Sequence, residues 1–246
     1  MTCRVDLMKN DTTGQWDAYV RQSPQATLFH GTPWKQVVES TYGCTGFYLY
    51  AYENNEIQGI LPVFLCGSRL TGKSLVALPF VATQPAMCAD NEAAEQALIE
   101  AACQLARKHG VTTVELREQA EKSWGWQARQ TYVNVQLALD PDPETVWLSR
   151  MDGKVRTKVS RALERGLEIS WGDRDHIDDF YRLYAHTMSR LGSPPHAKAL
   201  FEHTIKAYPD QAQIALVMYG NQAIAGAFLM HNERWIGFPW AASLAG

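Results

Sequence analysis

The stretch YLYAYENNEIQGILPVFL, residues 48–65, shows a clear pattern of alternating apolar and polar segments. Aromatic and aliphatic residues fill both of its ends, and the polar segment 53–56 (ENNE) interrupts them. Two apolar runs separated by a short polar turn are typical of a β-hairpin. The stretch therefore predicts one strand, a tight turn and a second strand.

The same pattern returns near the end of the chain at a constant separation. Six pairs of similar residues lie 167 positions apart: Trp34/Phe201, Val38/Ile205, Tyr52/Tyr219, Asn54/Asn221, Ile57/Ile224 and Gly59/Gly226. An offset shared by one helix and one hairpin indicates a duplicated α/β module. The acidic, proline-containing segment 140–145 (DPDPET) predicts the linker. We therefore expect one module at 1–140 and a second at 141–246.

The remaining pattern alternates helices and strands. Apolar periodicity predicts helices at 13–22, 33–42, 91–109, 175–190 and 197–208, with a further helix that ends at Arg165. Alternation and β-branched residues predict strands at 73–80, 111–116, 131–139, 167–171, 212–219, 223–231 and 235–242. Gly110 and Gly166 stand where helix C-terminal caps are expected. The fold class is α/β with mixed sheets.

The second module is predicted to be incomplete at its C-terminus. The first copy continues for 80 residues after Gly59, up to Leu139, whereas only 20 residues follow Gly226. The final segment, WIGFPWAASLAG, would leave a sheet with an unpaired edge. We expect a truncated chain or an incomplete reading frame.

Composition excludes several classes of protein. The chain of 246 residues has a net charge of −3, so only a local basic patch could bind a polyanion. Its five cysteines form no CxxC pair, which argues against a disulfide scaffold or a structural zinc site and suits a reducing cytoplasm. The N-terminus lacks a signal-peptide pattern, and no apolar run is long enough for a membrane span.

Residues 67–74, GSRLTGKS, match the phosphate-loop pattern GxxxxGK[ST]. That loop works only when a helix follows immediately, because the helix N-terminal amides hold the phosphates. Here the sequence continues with β-branched residues, Pro79 and Pro85, which cannot form that helix. The stretch predicts a basic hairpin loop without nucleotide binding.

The segment KVRTKVSRALERG, residues 154–166, predicts a basic helix. Its four stripe cations lie at i, i+4, i+7 and i+11, on one narrow face: Lys154, Lys158, Arg161 and Arg165. A second, apolar stripe lies a quarter-turn or more away and is expected to pack: Leu148, Val155, Val159 and Leu163. We expect the cations to face the cleft between the modules and to bind phosphate, although a solvated face would show the same pattern.

Other candidate sites carry weaker signals. Trp124 and Trp126 flank Gly125 and predict a packed loop, with a sugar platform as the alternative. Glu115 and Arg117 share one face of a strand. His196 and His203 lack a third ligand nearby, so no metal site is predicted. No nucleophile elbow or Cys/His pair stands out, and the sequence assigns no catalytic residue.

Several long stretches resemble the FemAB-like aminoacyltransferase family: LFHGTPWKQVVESTYG (28–43), KVRTKVSRALERGLEI (154–169) and HIDDFYRLYAHTMSRLGSP (176–194). LVALPF, VELRE and FPWAASL are more closely similar to family members associated with exosortase (PEP-CTERM) systems of exopolysaccharide-producing bacteria. The resemblance implies tandem GNAT (Gcn5-related N-acetyltransferase) modules, with the second one truncated. It also implies that an aminoacyl-tRNA donates an amino acid to an amine on a peptidoglycan precursor, in the cytoplasm.

Three positions depart from what the resemblance implies. The family's diphosphate-binding lysine and arginine fall at Val38 and near His196, and an acidic residue falls near Gln119. These departures indicate a relative that acts on another acceptor. The acyl-CoA-binding pattern [QR]xxGx[GA] of ordinary GNAT enzymes is also missing.

We therefore expect an N-acyltransferase that acts on a cell-envelope or exopolysaccharide precursor. The acyl donor would be aminoacyl-tRNA or acyl-CoA as a co-substrate, with no tightly bound cofactor and no DNA partner. The expected binding residues are Lys154, Lys158, Arg161, Arg165, Arg117 and His196. A non-catalytic module that binds tRNA or an anionic glycan is the alternative, and a phosphate-loop nucleotide hydrolase is a more distant one.

Overall fold

The structure is a computed structural model that describes residues 3–68, 72–81, 85–119, 122, 124–129 and 133–244. Its contacts divide the chain into two compact units. The first unit comprises Met1–Trp126, Ala197–Gln211 and Met230–Pro239. The second comprises Gln127–His196, Ala212–Leu229 and Trp240–Gly246. Both units are assembled from separated segments, and the predicted module boundary at residue 140 stays a prediction.

Helices and strands alternate in the predicted order. The helices are α1 (Thr13–Gln22), α2 (Thr32–Tyr42), α3 (Glu92–Lys108), α4 (Pro143–Thr145), α5 (Gly153–Glu164), α6 (Ile177–Arg190) and α7 (Lys198–Ala207). The strands are β1 (Arg4–Leu7), β2 (Thr45–Glu53), β3 (Glu56–Ser68), β4 (Gly72–Ala77), β5 (Cys88–Ala89), β6 (Val114–Glu115), β7 (Leu167–Gly172), β8 (Ala212–Tyr219), β9 (Gln222–Asn232) and β10 (Trp235–Ser243).

Within the described residues, the strands form a six-stranded and a four-stranded sheet, and four consecutive strands of the first follow the same spatial order as the second. The first sheet runs β1-β2-β3-β4-β6, with β5 paired to β3, and the second runs β7-β8-β9-β10. Both sheets begin, in chain order, with a strand, two helices and three further strands, and the first sheet then adds β5, helix α3 and β6. This mixed α/β architecture agrees with the predicted fold class. The shared topology supports the duplication, which itself stays a prediction.

The two hairpins correspond with a shift of one residue from the predicted register. Their two-residue loops are 54–55 and 220–221, which lie 166 residues apart instead of 167. A Cβ added to Gly59 would meet Leu98 of α3, whereas one added to Gly226 would meet Phe180 of α6. The two glycines therefore contact different helices, and the predicted match of Gly59 with Gly226 stays a prediction.

Helix α3 covers one face of the first sheet. It begins at the side chain of Asn91, which accepts from the backbone of Ala94 at 2.9 Å. Its buried stripe packs against strands β2, β3 and β4 in one core: Ala94, Leu98, Ile99, Ala102, Leu105 and Ala106. At about 25 cal/mol per Å² of apolar surface, this stripe is a main source of the unit's stability.

Three of the predicted strands differ from the structure. Residues 133–139 form no strand, and Val133 and Val135 are 90% and 87% exposed. Among the described residues, no strand of either sheet pairs with this segment, and residues 131–132 lie outside the described residues. The strand predicted at 111–116 shortens to β6, Val114–Glu115, and the one predicted at 73–80 ends at Ala77.

A single disulfide joins neighbouring strands of the first sheet. Cys44 and Cys66 flank the paired positions Thr45 and Leu65, so their side chains meet across the β2–β3 ladder. Cys3, Cys88 and Cys103 are free. The sequence did not predict this pairing, because spacing alone does not reveal cross-strand neighbours.

Candidate functional site

The first sheet opens where β4 and β6 separate. These two strands are parallel and pair only at Leu75 with Val114 and at Val76 with Glu115. Beyond these pairs the chain turns away through Leu78 and Phe80, whose φ angles are +43° and +70°. Left-handed backbone in residues other than glycine costs on the order of 1–3 kcal/mol and persists only where the surroundings hold it in place. The surrounding structure of the first unit therefore holds the backbone in the conformation that separates β4 from β6.

Arg117 closes part of this opening. Its Nε donates to Glu115 Oε1 at 2.8 Å, and its Nη1 donates to the carbonyl of Val81 at 3.1 Å. Its own carbonyl accepts from the backbone N–H of Ala86 at 2.7 Å. The guanidinium thus connects the two diverging segments. The predicted role of Arg117 in phosphate binding stays a prediction.

Glu118, the next residue, is the ionisable group that the sequence analysis missed. Its Oε1 accepts from the backbone N–H of Met87 at 3.3 Å. Burial raises the pKa of Glu118 from its ordinary 4.5 to about 7, and the charge of Lys122 offsets only part of that effect. A half-buried carboxyl with a pKa near neutrality can accept a proton in the physiological range. The sequence did contain one signal for Glu118. The family resemblance places an acidic residue near Gln119, and Glu118 is adjacent to that position.

Beside Glu118 lies a buried polar cluster of the first unit. The Nε2 of His30 lies 3.5 Å from the sulfur of Cys88, and the Nδ1 of His30 lies 3.1 Å from the backbone nitrogen of Thr27. Burial lowers the pKa of His30 to about 4. Burial also raises the pKa of the Cys88 thiol, and the charges of Glu118 and Asp90 raise it further. A neutral thiol beside a neutral imidazole is not an activated nucleophile, so this pair supports structure.

Aromatic side chains flank the turn that follows β4. Tyr42, at the end of α2, stacks on Phe80 with ring centroids 4.0 Å apart. The hydroxyl of Tyr42 accepts from the backbone N–H of Ala197 at 3.2 Å. Thr41 and His203 are 2.9 Å apart through Oγ1 and Nδ1. These contacts hold the strained turn in place.

The basic helix predicted at 154–165 is present as α5. Asp152 caps it by accepting from the backbone of Lys154 at 2.7 Å, and the helix gives way to Gly166, whose φ is +76°. All four stripe cations, Lys154, Lys158, Arg161 and Arg165, are exposed. Their phosphate-binding role stays a prediction, as does their orientation toward a cleft.

The apolar stripe of α5 does not pack as predicted. Leu148 is 56% exposed, and Val155, Val159 and Leu163 are 43%, 39% and 59% exposed. Helix α5 has no buried residue. The expectation failed because periodicity shows that a helix has an apolar face and does not show what covers it.

An open depression of about 700 Å³ lies along the polar side of α5. It is lined by Trp147, Gly153, Arg156, Thr157, Ser160, Arg161 and Glu164. Arg156 shapes it, since its Nη1 donates to the carbonyls of Trp147, Leu148 and Met151 at 3.2, 2.7 and 2.8 Å. These carbonyls belong to a π-helical turn, Val146–Arg150, and the residue after it. Arg156 therefore serves a structural role, and Arg161 lines the depression.

The positions that depart from the family pattern differ in their surroundings. Val38 is completely buried in α2, so it cannot contact a ligand phosphate. Gln119 is exposed. His196 lies in the second unit between Tyr184 and Trp240, with ring centroids 6.1 and 6.3 Å away, and burial lowers its pKa. A predominantly neutral imidazole would replace a guanidinium poorly; ligand binding by His196 stays a prediction.

The two tryptophans of the 124–126 segment have different roles. Trp124 packs against the first core, and its Nε1 donates to Glu95 at 2.6 Å. Lys122 bonds the same carboxylate at 2.7 Å, and the hydrogen bonds from both side chains lower the pKa of Glu95 against the opposing effect of burial. Trp126 lies edge-on to Trp124 and is 36% exposed. The structure thus agrees with a packed loop at Trp124.

The phosphate-loop pattern lies in a hairpin. Gly67 pairs with Lys73, and Ser68 pairs with Gly72, across the β3–β4 ladder. Residues 69–71 lie outside the described residues. Strand β4, not a helix, contains Lys73 and Ser74, so the geometry lacks the helix N-terminus that this motif requires.

Two general features concern ions and membranes. Among the described residues, no group of three or more His, Cys, Asp and Glu side chains is placed to hold a metal ion. In the same part of the chain, none of the helices combines the length and apolar character that crossing a membrane requires.

Comparison with known families identifies the class of protein. The sequence profile of the FemAB family matches residues 79–222, which is more than half of the chain. The chain therefore belongs to the FemAB family, whose members are typically aminoacyltransferases that use aminoacyl-tRNA donors. The matched range includes strand β6, Glu118 and helix α5, whereas strand β4 precedes it.

One solved structure agrees with this assignment at the level of fold. The crystal structure of FemX aligns with a TM-score of 0.66 and 15% identity, over 97% of this chain and 80% of FemX. A GNAT family acetyltransferase of Staphylococcus aureus aligns with a TM-score of 0.38 and 10% identity, over 56% of this chain and all of that chain. A probable N-acyltransferase of Enterococcus faecalis aligns with a TM-score of 0.43 and 7% identity, over 100% of this chain and 59% of its own. A search of curated protein sequences finds no match.

Proposed function

We propose that the chain transfers an aminoacyl group to an amine on a cell-envelope or exopolysaccharide precursor, in the cytoplasm. Membership of the FemAB family, through the match over residues 79–222, is the observation that carries this proposal. The FemX-like fold over 97% of the chain supports it. Aminoacyl-tRNA is the proposed donor, and acyl-CoA is the alternative donor. An association with exosortase systems stays a prediction.

The proposed chemistry is direct aminolysis. The acceptor amine attacks the carbonyl carbon of the aminoacyl ester, an amide bond forms, and the ester bond to the tRNA ribose breaks. The amine must lose one proton, and the ribose oxygen must gain one. Positioning of the two substrates accounts for much of the rate enhancement over the uncatalysed reaction, as in other reactions between two bound molecules.

Glu118 is the proposed proton acceptor. Its pKa of about 7 leaves a large fraction ionised at neutral pH while keeping it basic enough to take the proton that the neutral amine loses as it attacks. Its hydrogen bond from the backbone of Met87 fixes the direction of one carboxylate oxygen. The neighbouring strained turn at Leu78 and Phe80 is consistent with a site whose geometry is held for function.

The cations of α5 are the proposed phosphate-binding element. Lys154, Lys158, Arg161 and Arg165 are exposed on one helix. Arg161 also lines the 700 Å³ depression beside Trp147. The residues at the positions of the family's diphosphate ligands, Val38 and His196, argue for an acceptor other than the usual peptidoglycan precursor.

A binding module without catalysis is the second candidate. The observation that favours it is that Arg117, at the opening, already bonds Glu115 and Val81, while Val38 is buried. Such a protein would bind tRNA or an anionic glycan but transfer nothing. The two candidates differ in whether a new amide bond forms.

The test is transfer of a labelled amino acid from charged tRNA to amine-bearing envelope precursors. Wild type should transfer label, and Glu118→Gln should lower the rate by about 100-fold or more, the range typical of a lost general base. Glu100→Gln is the matched control, because Glu100 is exposed on α3 and bonds only Gln96 among its described contacts. Transfer that is equal in all three proteins would remove Glu118 from the proposal. Retained tRNA binding with no transfer would favour the binding module.

A further inference from the structure

Helix α5 presents two different faces to solvent at once. Its four cations lie on one stripe, and a neighbouring stripe of Val155, Val159 and Leu163 is 43%, 39% and 59% exposed. Leu148, in the π-helical turn before it, is 56% exposed. Single exposed aliphatic residues are common, but an exposed apolar stripe along a basic helix is not. A partner that binds this surface would contact both the cationic stripe and the apolar stripe.

We propose that α5 lies on the surface of an anionic lipid bilayer. Lys154, Lys158, Arg161 and Arg165 would bind lipid headgroup phosphates. Val155, Val159 and Leu163 would enter the boundary between the headgroups and the acyl chains. A basic amphipathic helix of moderate hydrophobicity binds membranes in this way, parallel to the surface. The helix would attach the protein without crossing the bilayer.

Charge and apolar exposure together favour a membrane over RNA. Both surfaces carry phosphates, and both would attract the four cations. RNA, however, is bound through cations and stacked aromatic rings, and aliphatic side chains gain little from its backbone. An anionic bilayer favours both the cations and the aliphatic stripe. Its headgroup phosphates attract the cations, and apolar side chains leave water when they enter it. The exposure of the aliphatic stripe is therefore the deciding observation.

The other charges near the stripe are compatible with this contact. Asp152 is used as the helix cap, where its side chain accepts from the backbone of Lys154. Arg156 is used to bond the carbonyls of Trp147, Leu148 and Met151. Glu164 is the acidic residue within the helix, and it lines the depression on the polar side. No acidic side chain interrupts the cationic stripe among the residues of α5.

The proposal deepens the function proposed above, because it assigns the phosphates that α5 binds to a membrane surface. The membrane contact itself needs no transfer chemistry, so the two proposals can fail separately.

The test measures binding of the 246-residue chain to lipid vesicles by cosedimentation. One set contains phosphatidylglycerol and phosphatidylcholine in equal amounts, and the other contains phosphatidylcholine alone. We expect binding to the anionic set that weakens as salt rises, since salt screens headgroup charge. The pair Lys158→Ala and Arg161→Ala should lower affinity by about 25-fold, at roughly fivefold per cation.

A second variant tests the apolar stripe without changing charge. Val159→Gln with Leu163→Gln should lower affinity for anionic vesicles by about tenfold, since binding scales with buried apolar area. Leu191→Gln is the matched control, because Leu191 is 72% exposed outside α5. All replaced side chains are exposed, so thermal unfolding should stay unchanged and verifies that each variant folds.

Three outcomes would overturn the proposal. The first is no binding to anionic vesicles. The second is vesicle binding that both α5 variants leave intact. The third is RNA binding that depends on the cations but not on Val159 and Leu163, without vesicle binding. Vesicle binding in a protein that transfers no amino acid would uphold the membrane contact and reject the transferase function.

Discussion

The Oε1 atom of Glu118 lies 3.3 Å from the backbone nitrogen of Met87, which donates a hydrogen bond to it. Met87 belongs to the segment that returns to the sheet after β4, and Glu118 belongs to the segment that leaves β6. One carboxyl thus lies at the opening between two diverging strands. Its position, burial and pKa make it the residue on which the account of catalysis depends.

We predict that the rate of transfer follows the ionisation of Glu118. Because the pKa of Glu118 is about 7, kcat/KM should rise with pH through about 7 and then level off. The Glu118→Gln variant should lose this rise together with most of its activity. A pH–rate profile from pH 5 to pH 9 measures both, and an unchanged profile in the variant would reject the assignment.

The same carboxyl should lower stability at high pH. Burial raises its pKa in the folded state from 4.5 to about 7, so the unfolded chain releases the proton first. The stabilising effect of the bound proton is complete below about pH 4.5 and is lost as pH rises to about 7. Glu118→Gln should therefore unfold at a higher temperature than wild type at pH 8 and at a similar temperature at pH 4. Equal melting temperatures at both values would contradict the raised pKa.

The contribution of His30 to the free energy of unfolding should depend on pH with the opposite sign. Its pKa falls from 6.5 to about 4 on folding, because burial disfavours the imidazolium. The resulting stability is present above about pH 6.5 and is lost as pH falls toward 4, by about 3 kcal/mol in total. Urea unfolding at pH 7 and pH 4.5 measures it. His30→Asn should be less stable at pH 7 and should lose less stability on acidification than wild type does.

Gly59→Ala should destabilise the first sheet. The added Cβ would lie 3.0 Å from the carbonyl oxygen of Cys88 and 3.1 Å from Leu98 Cδ1. Backbone cannot move aside as a flexible side chain can, so we expect a cost of about 1–3 kcal/mol in the free energy of unfolding. Gly14→Ala is a suitable control, because the structure places nothing within 4 Å of its added Cβ. A neutral Gly59→Ala would show that β5 does not approach β3 so closely.

Lys73→Ala should leave nucleotide affinity at its negligible level. Lys73 lies in strand β4, paired with Gly67, without a following helix to hold phosphates. Isothermal titration with ATP and Mg²⁺ measures this directly. Micromolar binding by wild type that disappears in the variant would restore the nucleotide hypothesis.

Local signals in the sequence predicted much of the fold. Asn91 begins α3, and Gly166 follows the end of α5, because capping depends on residues adjacent in the chain. The loop at 54–55 was predicted for the same reason, since both asparagines adopt positive φ, at 52° and 64°. Residues 133–139 were mispredicted because alternation shows a preference for extended backbone and does not supply a partner strand.

The candidate site was harder to predict than the fold. The raised pKa of Glu118 arises from burial beside Met87, more than thirty residues away in sequence. The exposure of Val155 and Leu163 likewise depends on what other elements leave uncovered. The basic stripe of α5 could be predicted, because all four cations lie on a single helix.

The mass of the acceptor after reaction tests directly whether the chain is an aminoacyltransferase. Amine-bearing envelope precursors are incubated with charged tRNAs and the wild-type chain, and the products are resolved by mass spectrometry. We expect a product heavier by one amino-acid residue, attached by an amide bond, that forms with wild type and is greatly reduced with Glu118→Gln. Acceptors unchanged in mass with every charged tRNA, while the folded chain is present, would contradict it.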